Sequence, residues 1–221
     1  LGTDELGRDI FTRVLYGARI SLRVAVIVMV LSVTIGVAIG LVSGFAGGWV
    51  DQAIMRVTDV FLAFPVLILA MAFSAALGPS VENAALALGL VWWPGYARLM
   101  RGQVLVVKSL DYVEASRAIG VGTGRLLWRH VLPNAIDPVT ARMTMTAGNA
   151  ILMSAALSFI GLGAQPPAPE WGLTVALARK FLMTAWWYPT IAGFVIFVTV
   201  LAFTIASDAI QDLLDPRLQL G

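Results

Sequence analysis

Four long runs without a charged residue constrain what this chain can fold into. They contain 27, 22, 27 and 27 residues and fill the intervals 24–50, 60–81, 143–169 and 181–207. A helix of about 20 apolar residues crosses the roughly 30 Å core of a bilayer, because each residue adds about 1.5 Å along the axis. Each run is therefore long enough to predict one membrane span.

A fifth span is predicted between the second and third of these runs. Only 15 uncharged residues separate Glu82 from Arg98. A helix from about Ala84 to Val107 would still cross the bilayer if its arginines reach water at one end. The runs are continuous rather than alternating in polarity, which is typical of helices and not of barrel strands. We therefore predict an all-α, polytopic transmembrane helical bundle with five spans in this chain.

The residues before the first run form an amphipathic pattern. Apolar residues recur at helical spacing with arginines between them, at Ile10, Phe11, Val14, Leu15, Ala18 and Leu22. This pattern is typical of a helix lying in the membrane interface, although the same residues could form a lead-in to the first span. We accordingly divide the chain into an external lead-in or interfacial helix, 1–23, and a transmembrane domain, 24–221.

Lysine and arginine are unevenly divided between the two faces that five spans define. The face carrying 46–59, 98–142 and the C-terminal tail has nine basic residues, against six on the other face. Basic residues are enriched on the cytoplasmic side of membrane proteins. The distribution therefore favours a cytoplasmic location for 98–142.

Small residues repeat every four positions in the first span, at Ser32, Gly36, Gly40 and Gly44. This spacing lets two helices approach closely. It allows homodimerisation, but it favours packing against another helix of the same bundle.

The long basic connection between the third and fourth spans carries its own structural signals. Asp111 and Glu114 fit a capping box at the start of a short helix, which would stop at Gly120. Thr123 could cap a second short helix that Pro133 would end. A structured loop of this length between spans is generally functional, which favours a docking element for a partner over a plain connector.

Several chemical functions lack the residues that they need. The chain has no cysteine and one histidine, His130, which excludes thiol catalysis and any site built from two histidines. It has no lysine-containing phosphate loop, and a net charge of +2 is too small to indicate a nucleic-acid partner. The spans carry no charged residue away from their ends, whereas ion-coupled carriers generally need one there.

A path through such a bundle would be lined by uncharged polar groups. The candidates are Asn149, Ser154 and Ser158, which share one predicted span. The alternative for these side chains is a hydrogen bond between neighbouring helices, which serves packing rather than transport.

The long connection also resembles the EAA motif of the permease subunits of ABC importers. That motif runs Glu-Ala-Ala, then a glycine four residues on, then Leu-Pro. The matching residues are Glu114, Ala115, Gly120, Leu132 and Pro133, with Ser116 in place of the second alanine. Three further stretches are similar to the dipeptide and oligopeptide branch, and in particular to the second of its two permeases: LGTDELGRD at 1–9, LSFIGLGAQPPAPEWG at 157–172 and DPRL at 215–218.

The resemblance implies a type I importer permease fold with six spans, so that the first span of the family would precede Leu1. It implies that the loop at about 108–134 couples the bundle to ATPase subunits and that the chain itself is not an enzyme. The expected partners are a second permease, two ATP-binding subunits, an extracytoplasmic solute-binding protein and the lipid of the bacterial inner membrane. No cofactor is expected in this chain, because ATP and magnesium would bind to the partner subunits.

The cargo implied by the resemblance is a di- or oligopeptide. Nickel, haem or another small solute on the same scaffold is the alternative within the family. A membrane channel or scaffold subunit that needs no ATPase is the alternative from another class.

Overall fold

The computed structural model describes residues 1–214, and this part of the chain forms α-helices and no β-strand. The predicted DPRL stretch at 215–218 lies outside the described residues. In chain order the described helices are α1 (Ile10–Ala46), α2 (Gly48–Leu62), α3 (Val66–Leu77), α4 (Val81–Val107), α5 (Asp111–Ala118), α6 (Thr123–Leu126), α7 (Leu132–Ala135), α8 (Asp137–Phe159), α9 (Trp171–Ala178) and α10 (Trp187–Leu214).

The first helix is longer than the predicted span and includes the predicted lead-in. Asp9 caps its N-terminus, where the carboxylate accepts a hydrogen bond from the Thr12 N–H at 2.7 Å. The helix passes Arg23 without a break and ends before Gly47, whose φ of 66° suits a residue without a Cβ atom. The lead-in is thus the beginning of the same helix, which is one of the two arrangements that its amphipathic pattern allowed.

The second uncharged run does not form one continuous helix. Helix α2 ends at Leu62, α3 begins at Val66, and the two helices are bent by 90°. Pro65 lies at this break, has no N–H to donate and disfavours helical geometry in the residue before it. The absence of charged residues predicted an apolar segment here, but it did not reveal that one helix ends and another begins within that segment.

Two described helices, Ile10–Ala46 and Trp187–Asp212, are long and apolar enough to cross a membrane, and the bent pair α2–α3 would make a third. Helices α4 and α8 contain 27 and 23 residues. They are about 40 and 35 Å long, which suffices for a bilayer, although their composition is less apolar. The count of five spans therefore stays a prediction.

Helix α1 packs along α4 through its stripe of small residues. A Cβ atom on Gly40 would lie 2.8 Å from the Cβ atom of Met100 and 3.0 Å from the backbone nitrogen of Arg101. Gly36 and Gly44 meet α4 in the same way, one turn to either side. The stripe is therefore used inside the bundle, as its spacing favoured.

Helix α8 lies between α1, α4 and α10 and completes the core. The central cluster is fully buried at Val28, Leu88 and Ile151. The helices α5, α6 and α7 lie together at one end of this bundle, which we call the basal end. A second apolar cluster, which we call the basal cluster, joins them to α1, α4 and α8.

Candidate functional site

The connection between α4 and α8 is a helix–turn–helix segment, 108–135, at the basal end. On α5, Glu114 and Ala115 are exposed and Val113 is fully buried in the basal cluster. The Ser116 hydroxyl donates a hydrogen bond to the Tyr112 carbonyl at 2.7 Å. The segment thus presents Glu114 and Ala115 to the surroundings while the opposite side of α5 holds it to the bundle.

Gly120 makes the turn that follows α5. Its φ is 83°, a conformation that side chains with a Cβ atom rarely adopt. The Gly120 N–H donates to the Arg117 carbonyl at 3.0 Å, and the Val121 N–H donates to the Ser116 carbonyl at 3.1 Å. This pair of bonds is a Schellman motif, which satisfies the last carbonyls of the helix. The predicted stop at Gly120 is therefore confirmed, with a glycine-specific backbone as its cause.

The predicted capping box at the start of α5 is wrong. Leu110 occupies the capping position with an extended backbone, and no side chain caps this end of the helix. The Leu110 carbonyl accepts hydrogen bonds from the N–H groups of Val113 and Glu114. Asp111 and Glu114 both fall in the first turn instead, where carboxylates favour the positive end of the helix dipole.

The second half of the segment is a continuous helical path rather than a helix ended by Pro133. Gly122, and not Thr123, occupies the capping position of α6. A π-helical turn, Leu127–Val131, joins α6 to α7, and Pro133 lies in the first turn of α7. The Leu132 N–H bonds to the Leu127 carbonyl, five residues back. This wider turn accommodates a proline, which lacks an N–H and would crowd the carbonyl four residues before it.

The segment is fixed to the bundle by buried apolar side chains. Leu126, Val131 and Ala135 are essentially fully buried in the basal cluster, together with Met100 and Val104 of α4. Leu132 is half-buried against the same cluster and Pro133 is exposed. A displacement of the segment would therefore move α4 and α8 with it, since their side chains share one core.

The outward side of the segment carries two large apolar residues that the sequence analysis did not single out. Ile119 is 82 % exposed and Trp128 is 70 % exposed. Single exposed apolar residues are common, but two of this size on a short polar segment indicate a contact surface. One feature of the sequence could have identified these two residues. Both lie among arginines, at positions that do not belong to the buried side of the short helices.

A polar brace joins α2 to α4 and α1 beside the segment. The Arg101 guanidinium donates two hydrogen bonds to the Asp51 carboxylate, each 2.6 Å long. The Ser43 hydroxyl donates to the same carboxylate, and Lys108 Nζ donates to the Gly44 carbonyl at 2.6 Å. The Arg101 hydrogen bonds, supported by Ser43, lower the pKa of Asp51 from 3.8 to about 2.

Replacing Asp51 with asparagine is expected to destabilise the protein by about 2 kcal/mol, because Arg101 loses a charged bidentate partner. The carboxylate has a lower pKa in the folded state than in the unfolded state. Its contribution is therefore complete above about pH 4 and disappears as the pH falls through about 2. Thermal unfolding in detergent at pH 7 and at pH 3 measures this. Wild type should lose more stability over that interval than Asp51→Asn, and equal losses would contradict the assignment.

A cavity of about 1000 Å³ opens between the α2–α3 bend, α4 and α8. Its polar lining residues are Tyr96, Asp137, Arg142, Thr146, Asn149 and Gln211. The Tyr96 hydroxyl and Thr146 Oγ1 are 2.5 Å apart and share a hydrogen bond. The other lining side chains are mainly apolar, which suits a passage for a small organic solute.

The three predicted path residues occupy different positions. Asn149 lines the cavity, whereas Ser154 and Ser158 are buried in the protein at 3 % and 2 % exposure. The Ser158 hydroxyl accepts a hydrogen bond from the Ala164 N–H at 3.0 Å, in the loop after α8. The geometry thus brings only Asn149 to the cavity.

The charge pattern places Arg142 at the boundary of an uncharged run and so predicts no position for it in the path. Helix α8 instead begins at Asp137, so Arg142 lies in its second turn and faces the cavity. In the described part of the chain no three His, Cys, Asp or Glu side chains gather where they could hold a metal ion.

Comparison with protein families matches residues 36–220 to the family described as "Binding-protein-dependent transport system inner membrane component". The dipeptide transport system permease protein DppC of Escherichia coli K12 is 50 % identical over 219 residues, which cover 99 % of this chain and 73 % of the relative. DppC of Alkalihalophilus pseudofirmus is 42 % identical over 218 residues, covering 99 % and 72 %. The glutathione transport system permease protein GsiD of Pectobacterium atrosepticum is 42 % identical over 219 residues, covering 99 % and 73 %.

Comparison with solved structures finds the same fold. A chain of the MetNI methionine ABC transporter in an inward-facing conformation matches with a TM-score of 0.74 and 17 % identity, covering 92 % of this chain and 96 % of that one. A chain of an amino acid ABC transporter solved with histidines matches with a TM-score of 0.67 and 17 % identity, covering 90 % and 92 %. At this identity the likeness shows the fold alone.

Proposed function

The chain belongs to the family of binding-protein-dependent transport system inner membrane components, and from this membership we propose that it is the permease subunit of an ATP-driven importer of di- and oligopeptides. The permease function and the all-helical type I importer fold follow from the family and the structural likeness. The peptide cargo is proposed because the relatives named as dipeptide permeases are 42–50 % identical over nearly all of this chain. The glutathione permeases among the relatives transport a molecule of the same chemical class, a tripeptide.

The observation that carries the mechanism is the helix–turn–helix segment at the basal end. Glu114, Ala115, Ser116, Gly120, Leu132 and Pro133 form the coupling element in this proposal. The segment is fixed to α4 and α8 by the basal cluster, and its outward side exposes Ile119 and Trp128. A partner that binds the outward side of this segment can therefore move the helices that line the cavity.

The proposal places the chain in a bacterial inner membrane with five spans and with the basal end in the cytoplasm. A further span before Leu1 remains a prediction of the family resemblance. Two ATP-binding subunits dock on the basal end and supply ATP hydrolysis, a second permease completes the bundle, and a solute-binding protein delivers the peptide from outside. The cavity with Asn149 at its wall forms this chain's side of the path.

The test is reconstitution of this chain with its second permease, ATP-binding subunits and binding protein in proteoliposomes. We expect the ATP-binding subunits to co-purify with the permeases and a radiolabelled dipeptide to enter only when ATP and the binding protein are present. Nickel and haem serve as alternative cargoes in parallel samples. Failure to recover ATP-binding subunits would favour a channel or scaffold, and uptake of nickel or haem in place of the dipeptide would contradict the cargo.

A further inference from the structure

Helix α2 borders the cavity but shares little of the apolar core. Of its 15 residues only Asp51 and Thr58 are buried, and the Thr58 hydroxyl donates to the Ile54 carbonyl of the same helix. None of its side chains belongs to an apolar cluster in the part of the chain that the structure describes. An element with few buried apolar contacts separates from its neighbours at a low cost in free energy. The contacts that hold α2 in place are therefore mainly polar.

Helix α2 also has a joint at each end. Gly47 and Gly48 stand at its start with φ of 66° and 56°, a backbone region that glycine adopts far more easily than other residues. At its other end Pro65 separates it from α3, and the two helices are bent by 90°. Hinges in proteins are generally a few residues at the ends of rigid elements. The backbone thus allows α2 to turn as one rod.

Two ion pairs join α2 to α4, and they differ in burial. Near the start of α2, buried Asp51 accepts two hydrogen bonds from Arg101. Two turns further on, Asp59 and Arg98 are 2.5 Å apart, but their side chains are 50 % and 56 % exposed. A buried, bidentate pair is costly to break, whereas an exposed pair contributes little and exchanges readily with water. The start of α2 is therefore held more firmly than its far end.

The far end of α2 forms part of the cavity wall. Leu62 and, after the break, Val66 line the cavity. Beside them the ring of Phe61 meets the ring of Trp93 on α4 edge-on, with centroids 5.3 Å apart. Eleven residues of helix place Leu62 about 17 Å from Asp51, so a rotation of about 15° about Asp51 would shift Leu62 by about 4 Å. A small turn of α2 would thus change the width of the cavity.

The start of α2 lies against the start of the helix–turn–helix segment. Lys108 is the first residue of that segment, and its Nζ donates to the Gly44 carbonyl at 2.6 Å. A Cβ atom on Gly47 would lie 4.0 Å from the same nitrogen. A displacement of the segment would therefore reach the joint at Gly47 and Gly48 directly.

We propose that α2 is a gate of the cavity, which turns about the Asp51–Arg101 pair and is latched against α4 by the Asp59–Arg98 pair. Movement of the segment 108–135 releases this latch during transport, and Leu62 then moves away from α4. The inference rests on the proposed permease function and adds a moving element to it. It requires that loss of the latch opens the cavity and that a permanent latch stops transport.

The first experiment measures access to the cavity in the absence of transport. The chain contains no cysteine, so Met153→Cys, on the cavity wall formed by α8, provides a single site for a charged maleimide. The sample is the purified complex of both permeases and both ATP-binding subunits, the other chains being cysteine-free variants, without nucleotide or binding protein. We expect Arg98→Gln to raise the labelling rate by roughly twofold to fivefold, because the exposed pair is lost.

Arg23→Gln is the matched control for this measurement. Arg23 forms an exposed pair with Glu82, but that pair joins α1 to α4 and does not involve α2. The labelling rate of Met153→Cys should therefore be unchanged by Arg23→Gln. If Arg98→Gln does not assemble, Asp59→Asn removes the same latch and allows the same comparison.

The second experiment fixes the latch. Asp59→Cys and Arg98→Cys are combined in one chain and joined by a short bis-maleimide, and uptake of a radiolabelled dipeptide is measured in proteoliposomes. We expect cross-linking to lower uptake at least tenfold while the ATP-binding subunits stay bound. The same cross-link between Arg23→Cys and Glu82→Cys should leave uptake unchanged, because the small-residue stripe packs α1 and α4 as one body.

Three results would overturn the inference: an unchanged labelling rate in Arg98→Gln, an equal effect of the corresponding Arg23 variants, or uptake that persists after verified cross-linking of positions 59 and 98. The labelling measurement needs neither cargo nor ATP. Uptake by the untreated wild-type complex tests the peptide import separately, so that failure of the gate and failure of the proposed function give different outcomes.

Discussion

Gly40→Leu is expected to prevent α1 and α4 from packing and to remove most folded protein from the membrane. A Cβ atom at this position would overlap the Ala97 carbonyl oxygen and lie 2.8 Å from the Cβ atom of Met100. These neighbours are backbone or near-backbone atoms, which cannot turn away as the end of a flexible side chain can. Overpacking in a core costs about 1–3 kcal/mol, and separating two helix backbones costs more. We therefore expect a loss of at least about 3 kcal/mol.

Size-exclusion chromatography of a fluorescent fusion in detergent, followed by thermal unfolding, measures this loss. Gly102→Leu is the matched control, because Gly102 lies on α4 and a Cβ atom there meets nothing within 4 Å. It should elute and unfold as wild type does. If Gly40→Leu gave a peak and an unfolding temperature like those of Gly102→Leu, the close contact of α1 and α4 would be refuted.

Glu114→Lys and Gly120→Pro are expected to abolish coupled ATP hydrolysis and peptide uptake while the protein stays folded in the membrane. Glu114 is exposed on α5, so reversing its charge alters a docking surface and not the core. Such a reversal at an interface costs several kcal/mol, and each 1.4 kcal/mol is about tenfold in affinity. Proline at Gly120 fixes φ near −65° where the turn needs 83°, and it removes the N–H that bonds to Arg117.

The chain offers a matched control for each change. Glu82→Lys reverses an exposed carboxylate at the opposite end of α4, where the contact with Arg23 is 3.8 Å long and contributes little. Gly122→Pro places proline where φ is already −61°. Both controls should support uptake in proteoliposomes. Uptake that persists in Glu114→Lys and Gly120→Pro would refute the coupling role of the segment.

The helical class and the family could be read from the sequence with little ambiguity. Runs of 22–27 uncharged residues predict helices, because a helix forms all of its backbone hydrogen bonds within one segment and lipid offers no other partners. The family resemblance carried by Glu114, Gly120 and Pro133 is confirmed by the matched family and relatives. The charge pattern could not show the break at Pro65 or the start of α8 at Asp137, because helix boundaries depend on local backbone geometry.

The coupling segment could be predicted in outline and not in detail. Gly120 was identified because a turn that ends a helix needs a residue without a Cβ atom, and this requirement is local. The capping box at Asp111 failed because Leu110 occupies the capping position, where its carbonyl accepts hydrogen bonds from the N–H groups of Val113 and Glu114. The π-helical turn before Pro133 was also missed, since its wider path depends on how Leu126 and Val131 pack into the basal cluster.

The sequence by itself determined the apolar helices, the small-residue stripe on α1 and the glycine turn after α5, because each depends on residue types at short spacing. Only the tertiary structure decided which helix the stripe meets, that Asn149 lines the cavity while Ser154 and Ser158 are buried, and that Arg142 faces Tyr96. These relations join residues more than 40 positions apart or depend on the rotation of α8. Packing fixes that rotation against all neighbouring helices at once.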